Sequence, residues 1–304
     1  AYMAGAWSCD DLVALVRLLL RNRHVLEGME GGAARVTRPL QKLFQKVNRN
    51  TREGARRNIS AHYDLGNEFF ALWLDETMMY SSAIFERDDM SLYEAQIARL
   101  DSICRKLELG PEDHLVEIGT GWGGLALHAV RNYGCRVTTT TISRQQYYKS
   151  VERVVAAGLE DRITVLLDDY RDLQGRFDKL VSIEMIEAIG WRQFDTYFEK
   201  CGQLLKPGGK LLIQAITIAE QRYEEAKRSV DFIQRYIFPG SNLPSVKAMA
   251  QSIADRTDLM ITGLEDIGLH YATTLNRWRR NFFERIDEVR ALGYPEEFIR
   301  MWEY

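Results

Sequence analysis

The sequence predicts an α/β fold built on a doubly wound, mostly parallel sheet. Short β-branched segments alternate with amphipathic helical patterns between residues 92 and 218, and a glycine-rich stretch at residues 117–124 joins the first such segment to the next helix. Strands that alternate with helices form parallel sheets, because each connecting helix crosses one face. We therefore expect helices on both faces, a helical segment before the sheet and a helical insertion near its end.

The individual elements follow from periodicity and from residues that start or stop a helix. Apolar residues at helical spacing predict helices, Ser143 is a favoured helix cap and Gly158 a favoured stop. The expected helices cover residues 9–23, 92–107, 125–133 and 143–158, and the insertion covers residues 223–256. The expected strands cover residues 115–118, 135–142, 163–167, 179–183 and 210–218, the last after a turn at residues 206–209. A further strand near residues 260–269 and a terminal helix from about Thr274 complete the prediction.

Composition narrows the class of protein. The 304 residues carry a net charge of −3, which argues against bulk binding to nucleic acid. No apolar run is long enough to span a bilayer, so we expect a soluble protein or one peripheral to a membrane. The four cysteines are scattered, without the paired spacing of a metal site, and are typical of reduced thiols in a cytoplasmic protein.

Positive charge is concentrated between residues 35 and 57, a stretch that contains eight Lys or Arg residues and one acidic residue, Glu53. Arg38, Lys42 and Lys46 recur at helical spacing opposite an apolar side. Such a basic amphipathic helix can lie on an anionic membrane surface. It can equally be a solvated basic face on a helix that packs against the enzyme, and the sequence leaves both interpretations open.

Polar clusters follow several of the predicted strands. Ligands of doubly wound sheets bind beyond the carboxyl ends of the strands, near the point where the strand order reverses. We therefore expect residues 119–123, 141–146, 168–170, 184–187 and 214–216 to surround one crevice. The glycines let the backbone approach a ligand closely, and the following helix directs unpaired N–H groups toward it.

The acids of this crevice distinguish between two kinds of nucleotide site. A dinucleotide-binding dehydrogenase would carry an acid at the end of strand two, but that strand ends in four threonines. The acids stand instead at Glu117 and at Asp168 and Asp169, an arrangement that resembles class I S-adenosylmethionine-dependent methyltransferases. The resemblance implies that the glycine turn holds the methionine portion and that Asp169 and Tyr170 flank adenine. The cofactor residues that it implies are Tyr63, Ser81, Glu117, Gly119, Gly121, Gly123, Thr141, Ser143, Gln146, Asp169 and Tyr170.

A set of further motifs, in order, resembles the cyclopropane fatty acid synthase family. The motifs lie at residues 63–70, 79–83, 117–124, 141–146, 169–172 and 236–240, and the similarity extends from residue 2 to residue 304. It implies a Rossmann-like methyltransferase domain at residues 59–304 with a helical insertion at about 219–258. Residues 1–58 would be a helical remnant of an N-terminal lipid-binding domain and a basic linker. We expect the chain to start late in that domain and to stop before the last helix and strand of the family.

The resemblance also implies a reaction. Family members transfer the methyl group of S-adenosylmethionine to a cis double bond of a lipid acyl chain. We expect a cyclopropane product on an unsaturated phospholipid at an anionic membrane, a cytoplasmic location at its inner face, and a homodimer as one option. A methyl- or methylene-branched product results if the proton leaves elsewhere. A soluble small-molecule substrate and a non-enzymatic binding subunit are the alternatives.

The same resemblance implies a bicarbonate ion as the base. The groups that would hold it are Ser82, Glu187, Gln214, Ile216 and Tyr271. Ser82 stands where the family usually has cysteine, and Gln214 stands where it usually has histidine. Glutamine carries no charge and does not titrate near neutral pH. We therefore expect bicarbonate to bind less tightly, or another base to have replaced it.

Several candidates also have a purely structural interpretation. Glu187 follows an apolar strand and should face the crevice, but it could be a surface residue at a helix start. Tyr271 could be a core aromatic, and His270 could be structural or could compensate for the missing histidine. The aromatic residues that could line an acyl tunnel, or equally fill the core, are Phe69, Phe70, Trp73, Phe232, Tyr236 and Phe238.

Overall fold

A computed structural model describes residues 1–22, 44, 47–63 and 65–304, and for residues 60–63 it describes the backbone alone. In these residues five strands form one sheet: β1 His114–Ile118, β2 Arg136–Thr140, β3 Ile163–Leu166, β4 Phe177–Ile183 and β5 Leu205–Gln214. The strand order is β3-β2-β1-β4-β5, and every neighbouring pair is parallel. The chain order reverses between β1 and β4, which defines the switch point of a doubly wound sheet. The predicted fold class is confirmed.

Helices precede, connect and follow these strands. The helices before and within the sheet are α1 Leu12–Arg21, α2 Arg52–Tyr63, α3 Asn67–Ala71, α4 Leu92–Lys106, α5 Gly124–Tyr133, α6 Arg144–Ala156, α7 Ile186–Ile189 and α8 Phe194–Leu204. The helices after β5 are α9 Glu220–Ala226, α10 Phe232–Tyr236, α11 Val246–Arg256, α12 Gly268–Glu284, α13 Ile286–Ala291 and α14 Glu296–Glu303. The helical N-terminal segment and the helical insertion are both present. None of the described helices combines the length and the apolar character that crossing a membrane requires.

The core lies on both faces of the sheet. Successive residues of β1 point to opposite faces, so Leu115 packs in one apolar cluster and Val116 in another. Helices α4 and α5 cover the first cluster, and α8 covers the second. A third cluster joins α3 to α12 and α14 through aromatic side chains. Phe69 and Phe70 are fully buried in this third cluster and are core residues.

Two parts of the predicted architecture are wrong. Residues 206–209, predicted as a turn, lie within β5, where the pairing shifts from Phe177–Leu205 to Lys179–Lys210. Residues 260–267 form no strand, and α12 begins at Gly268, before the predicted Thr274. The apolar residues of this segment have a strand-like pattern, but in the described residues no strand pairs with its backbone and Met260 is 84% exposed.

The predicted basic helix falls mostly outside the described residues, since Arg38, Lys42 and Lys46 all lie outside them. Helix α2 carries the C-terminal part of the basic stretch, and there Arg52, Arg56 and Arg57 are exposed. The choice between a membrane-binding face and a solvated face therefore stays open. The boundaries proposed for the two domains also stay predictions.

Candidate active site

The glycine-rich turn connects β1 to α5 and is held against β2. The backbone N–H groups of Gly119 and Thr120 both donate to the carbonyl of Thr140, at 3.0 and 3.1 Å. Gly119, Gly121 and Gly123 have φ values of 102°, 52° and 81°, a region that glycine adopts without strain. A Cβ at Gly119 would meet the side chain of Met185 at 3.2 Å, whereas the space above Gly121 is open. The turn therefore exposes bare backbone at the edge of the sheet.

Beyond the carboxyl ends of the strands lies a cavity of about 840 Å³. It is lined by residues from each of the five polar clusters predicted to meet there, at residues 119–123, 141–146, 168–170, 184–187 and 214–216. Aromatic side chains that include Phe232, Phe238 and Trp278 form another part of its wall. The cavity thus combines a polar end at the glycine turn with an aromatic wall.

The predicted cofactor residues divide into three groups. Those that line the cavity are Ser81, Glu117, Gly119, Gly121, Thr141, Gln146, Asp169 and Tyr170. Gly123 and Ser143 do not line it. Gly123 is the N-cap residue before α5 and lies close to Ser150, and the hydroxyl of Ser143 caps α6 by accepting from the N–H of Gln146 at 3.3 Å. The side chain of Tyr63 lies outside the described part of the chain.

Glu117 is the buried acid of the polar end. Its Oε2 accepts a hydrogen bond of 2.6 Å from the hydroxyl of Thr139. Burial raises the pKa of Glu117 to about 8, although the Thr139 hydroxyl and the charge of Arg99 act in the opposite direction. In the absence of a cationic ligand this carboxyl is therefore mostly neutral at pH 7.

The pKa of Asp169 is shifted in the opposite direction from that of Glu117. The guanidinium of Arg171 donates two hydrogen bonds to Asp169, Nε to Oδ1 at 2.8 Å and Nη2 to Oδ2 at 2.6 Å, and the backbone N–H of Arg171 donates a third to Oδ1 at 3.0 Å. Burial raises the pKa of Asp169, but the hydrogen bonds and charge of Arg171 outweigh it and hold that pKa below its ordinary value. Asp169 is therefore ionised. It lies next to Tyr170, whose ring is buried beside the cavity.

The polar groups that line this cavity fit S-adenosylmethionine as a ligand. The hydroxyls of Ser81 and Tyr170 are buried and have no hydrogen-bond partner in the described residues, although both residues line the cavity. A bound ligand with polar atoms would satisfy such groups. The open space above Gly121 admits a ligand against the backbone, and the acid at Glu117 suits a cationic one.

The residues predicted to hold bicarbonate are arranged around carboxylates of the chain itself. The N–H of Ser82 donates to Oε1 of Glu184 at 2.9 Å, and the amide Nε2 of Gln214 donates to the same oxygen at 2.7 Å. We call these two donors the Glu184 cradle. The N–H of Ile216 donates to Oε1 of Glu187 at 2.5 Å.

Glu187 is not a surface residue, since only 8% of it is exposed and its Oε2 is buried without a partner in the described residues. Burial and the nearby charge of Glu184 raise the pKa of Glu187 to about 8. Tyr271 lines the cavity close to both carboxyls. Burial, together with the charge of Glu184, holds the pKa of its hydroxyl well above the ordinary value, so Tyr271 is a neutral hydrogen-bond donor.

Bicarbonate does not fit this arrangement. The three donors assigned to it, on Ser82, Gln214 and Ile216, already bind carboxylates of the chain. Ser82 and Gln214 are not among the described residues that line the cavity, whereas Glu184 is. A further anion would also lie beside two acidic side chains.

Two residues that matter for the site were not singled out by sequence patterns: Glu184, which had no individual role, and Arg99, which was missed altogether. Arg99 lies on α4, is fully buried, and donates from Nε and Nη2 to Oε1 of Gln96 at 3.0 and 2.9 Å. Burial lowers the pKa of Arg99 to about 10, so it stays protonated at neutral pH and attracts the carboxyls of Glu184 and Glu117. The sequence signal that could have pointed to Glu184 was Gln214 in the place of the usual histidine, because an uncharged amide donor needs an acceptor close by.

The remaining candidates divide between structural positions and the wall of the cavity. Nδ1 of His270 accepts from the N–H of Phe85 at 3.3 Å, which ties α12 to the loop before α4. Among the tunnel candidates, Phe232 and Phe238 line the cavity, as does Trp73, which also belongs to the core; Tyr236 is exposed. The described residues contain no group of three or more His, Cys, Asp or Glu side chains that could hold a metal ion.

A parallel sheet of this order, a glycine turn after β1 and an acidic cofactor cavity at the switch point define a class I S-adenosylmethionine-dependent methyltransferase. The chain belongs to the family described as mycolic acid cyclopropane synthetase, which matches residues 50–304. Fold, site and family together make the protein an S-adenosylmethionine-dependent methyltransferase.

The chain is similar to several named relatives, two of them over its whole length. It is 38% identical to the tuberculostearic acid methyltransferase UfaA1 of Mycobacterium tuberculosis, across 100% of this chain and 72% of the relative. It is 37% identical to the cyclopropane-fatty-acyl-phospholipid synthase of Escherichia coli, across 100% of this chain and 76% of the relative. The crystal structure of mycolic acid cyclopropane synthase CmaA1 complexed with SAH and CTAB superposes with a TM-score of 0.75 at 34% identity, over 82% of this chain and 90% of that one.

Proposed function

We propose that this enzyme transfers the methyl group of S-adenosylmethionine to the cis double bond of an unsaturated acyl chain in a membrane phospholipid. The observation that carries the proposal is that one cavity is lined both by most of the predicted cofactor residues and by aromatic side chains. Polar side chains such as Asn276 and Arg279 also line this cavity, but the aromatic side chains supply the apolar contact that an acyl chain requires.

The chemistry explains the composition of the wall. An alkene is a poor nucleophile, so the reacting carbon must be held in line with the methyl donor and away from water. When bound, S-adenosylmethionine supplies a methyl group attached to a cationic sulfur. The ring of Tyr80 lies 5.3 Å from that of Trp278 and 6.3 Å from that of Phe238, and all three residues line the cavity. Aromatic faces stabilise cationic centres such as a sulfonium or a carbocation.

A cyclopropane ring is the first candidate product. After methyl addition, the cationic carbon closes a ring when the added methyl group loses a proton. This product corresponds to the name of the Escherichia coli relative and to that of the family.

A methyl- or methylene-branched chain is the second candidate. It is favoured by the uncharged Gln214 beside Glu184, and by the likeness to a relative named as a tuberculostearic acid methyltransferase. A site that removes the proton more slowly gives the cation time to rearrange before it is quenched.

The proposal includes the inner face of an anionic membrane as the place of reaction, with a homodimer as the assembly. The eight basic residues between positions 35 and 57 support the membrane part, because each cation near an anionic surface contributes about 1 kcal/mol to binding. On α1, Leu18, Leu19 and Leu20 are exposed and offer apolar contact at the same end of the chain.

The test uses the purified protein with S-adenosylmethionine and liposomes of unsaturated anionic phospholipid. The acyl chains are analysed by mass spectrometry after derivatisation that separates a ring from a branch. We expect a gain of one methylene unit on unsaturated chains and none on liposomes of saturated phospholipid. If the liposomes float free of protein and a soluble extract is methylated in their place, the proposal is wrong.

A further inference from the structure

We propose that the carboxylate of Glu184 is the base of this reaction, and that it fills the place where the family resemblance puts bicarbonate. The inference rests on the proposed function for the identity of the reaction. It rests on the contacts of Glu184 for the assignment of the base.

The first argument is the geometry of the Glu184 cradle. Both donors, the N–H of Ser82 and the amide of Gln214, converge on Oε1. No donor among the described residues binds Oε2, and Glu184 lines the cavity. One oxygen therefore anchors the carboxylate, while the other is free to accept a proton from a substrate in the cavity.

The second argument is charge. Two neighbouring carboxyls share this part of the site, and like charges so close rarely ionise together. Glu184 has two donors on one oxygen and lies near the buried cation of Arg99. Glu187 has the single backbone donor of Ile216, and the charge of Glu184 raises its pKa. Burial raises the pKa of Glu184 as well, but its two donors and the charge of Arg99 act in the opposite direction, so Glu184 has more stabilisation of its charged form than Glu187.

The third argument is access. Among the described residues Ser82 and Gln214 do not line the cavity, whereas Glu184, which accepts a hydrogen bond from each of them, does. Glu184 holds this position with a φ of 47°, which is uncommon for a residue that carries a Cβ. Glycine would adopt this φ freely and would leave the two donors uncovered.

The proton step balances without any further reagent. The π electrons of the double bond form the new bond to the methyl carbon, and the bond between sulfur and that carbon breaks with its electrons left on sulfur. A C–H bond of the added methyl group then breaks, and its electrons form the second ring bond. In a methylene-branched product a hydride first shifts from the methylated carbon to the neighbouring cationic carbon, and the electrons of the methyl C–H bond then form a carbon–carbon double bond. The proton goes to Oε2 of Glu184, which becomes a neutral carboxylic acid and later releases the proton to water.

Two substitutions of Glu184 distinguish its role as the base from its role in filling the Glu184 cradle. Glu184→Gln keeps the cradle filled but removes the basic oxygen, so we expect kcat to fall about 10²- to 10⁴-fold, with or without bicarbonate. Glu184→Gly empties the cradle, so we expect a similar loss that added bicarbonate partly restores. Glu160→Gln, at an exposed position, is the control and should behave as the wild type.

Binding of the anion is measured separately from activity, by the ¹³C NMR line width of labelled bicarbonate. We expect broadening with Glu184→Gly and none above the Glu160→Gln control with the wild type or Glu184→Gln. The wild type should turn over equally well in buffer freed of carbon dioxide. Broadening by the wild type, a need for bicarbonate, or full activity of Glu184→Gln would each overturn the assignment.

The two proposals fail in different ways. If the wild type methylates no phospholipid, the proposed function fails, and the NMR comparison still decides whether Glu184 fills the cradle. If the wild type makes the lipid product but requires bicarbonate, the function stands and the role of Glu184 is wrong.

Discussion

The side-chain amide of Gln214, at the end of β5, donates a 2.7 Å hydrogen bond to Oε1 of Glu184, which follows β4. The two strands are parallel neighbours, with Ile183 paired to Gln214, so their ends deliver both side chains to the same place. An amide at position 214 would be a weak partner for a free anion. It is a suitable partner for a carboxylate that the chain itself supplies.

Removing this amide should slow the reaction and leave cofactor binding intact. In Gln214→Leu, Oε1 of Glu184 keeps one donor of two, and a hydrogen bond to a charged group contributes about 1.5–3 kcal/mol. We expect kcat to fall roughly 10- to 100-fold, with the Kd for S-adenosylmethionine within about 3-fold of the wild type. Initial rates and calorimetry measure the two quantities. Gln251→Leu, at an exposed position on α11, is the matched control, and equal losses in both variants would contradict the role of Gln214.

Binding of S-adenosylmethionine should release protons near neutral pH. The pKa of Glu117 is about 8 in the free protein, and a cationic ligand beside it favours the ionised form. We therefore expect affinity to rise with pH up to about 8 and then level off. Calorimetry in buffers of different ionisation enthalpy measures the protons released.

Glu187 also has a pKa of about 8, so variants must assign the released proton. Glu117→Gln should weaken binding and remove most of the proton release, while Glu187→Gln should retain it. Unchanged proton release in Glu117→Gln would show that this acid does not face the cofactor.

The free protein should lose stability as the pH rises from about 5 to 8. Glu117 and Glu187 have raised pKa values in the folded state, so the folded protein binds more protons than the unfolded chain in this window. Each group lowers the free energy of unfolding by up to about 1.4 kcal/mol per pH unit. Urea unfolding at several pH values measures the slope. The slope should be smaller in Glu117→Gln, and an identical slope in that variant would contradict the burial of a neutral acid.

Arg99 should be essential for the fold as well as for the charge of the site. Arg99→Met removes the buried cation near Glu117 and Glu184, and removing one member of a buried charge group costs about 3–5 kcal/mol. We expect this loss in urea unfolding. Arg105→Met, at an exposed position of the same helix, should change stability by no more than about 0.5 kcal/mol. Equal stabilities of the two variants would show that the charge of Arg99 does not stabilise the carboxyl groups of Glu117 and Glu184.

The fold could be predicted where local signals and the sheet pattern agree. Ser143 caps α6 as expected, and β1 was predicted to within one residue, because caps and apolar alternation act over short distances. Residues 260–267 could not be predicted in this way. Their apolar pattern is that of a strand, but a strand needs a pairing partner, which no local pattern supplies.

The place of the site could be predicted, but the partners within it could not. Parallel strands end at one edge of the sheet, so the polar residues after them had to meet. Whether Ser82 would donate to an outside anion or to Glu184 depends on a contact between residues 102 positions apart. The burial of Arg99 could not be predicted either, because a charged residue on an amphipathic helix is usually exposed.

The most direct test of the central claim is to supply S-adenosylmethionine with a fully deuterated methyl group, in buffer freed of carbon dioxide, together with unsaturated phospholipid liposomes. Mass spectrometry of the acyl chains then counts the deuterium that remains. Transfer of the methyl group to the double bond followed by loss of its proton to Glu184 predicts a product that retains two of the three deuterium atoms, formed at the same rate with and without bicarbonate. Retention of all three, or no lipid product unless bicarbonate is added, would contradict it.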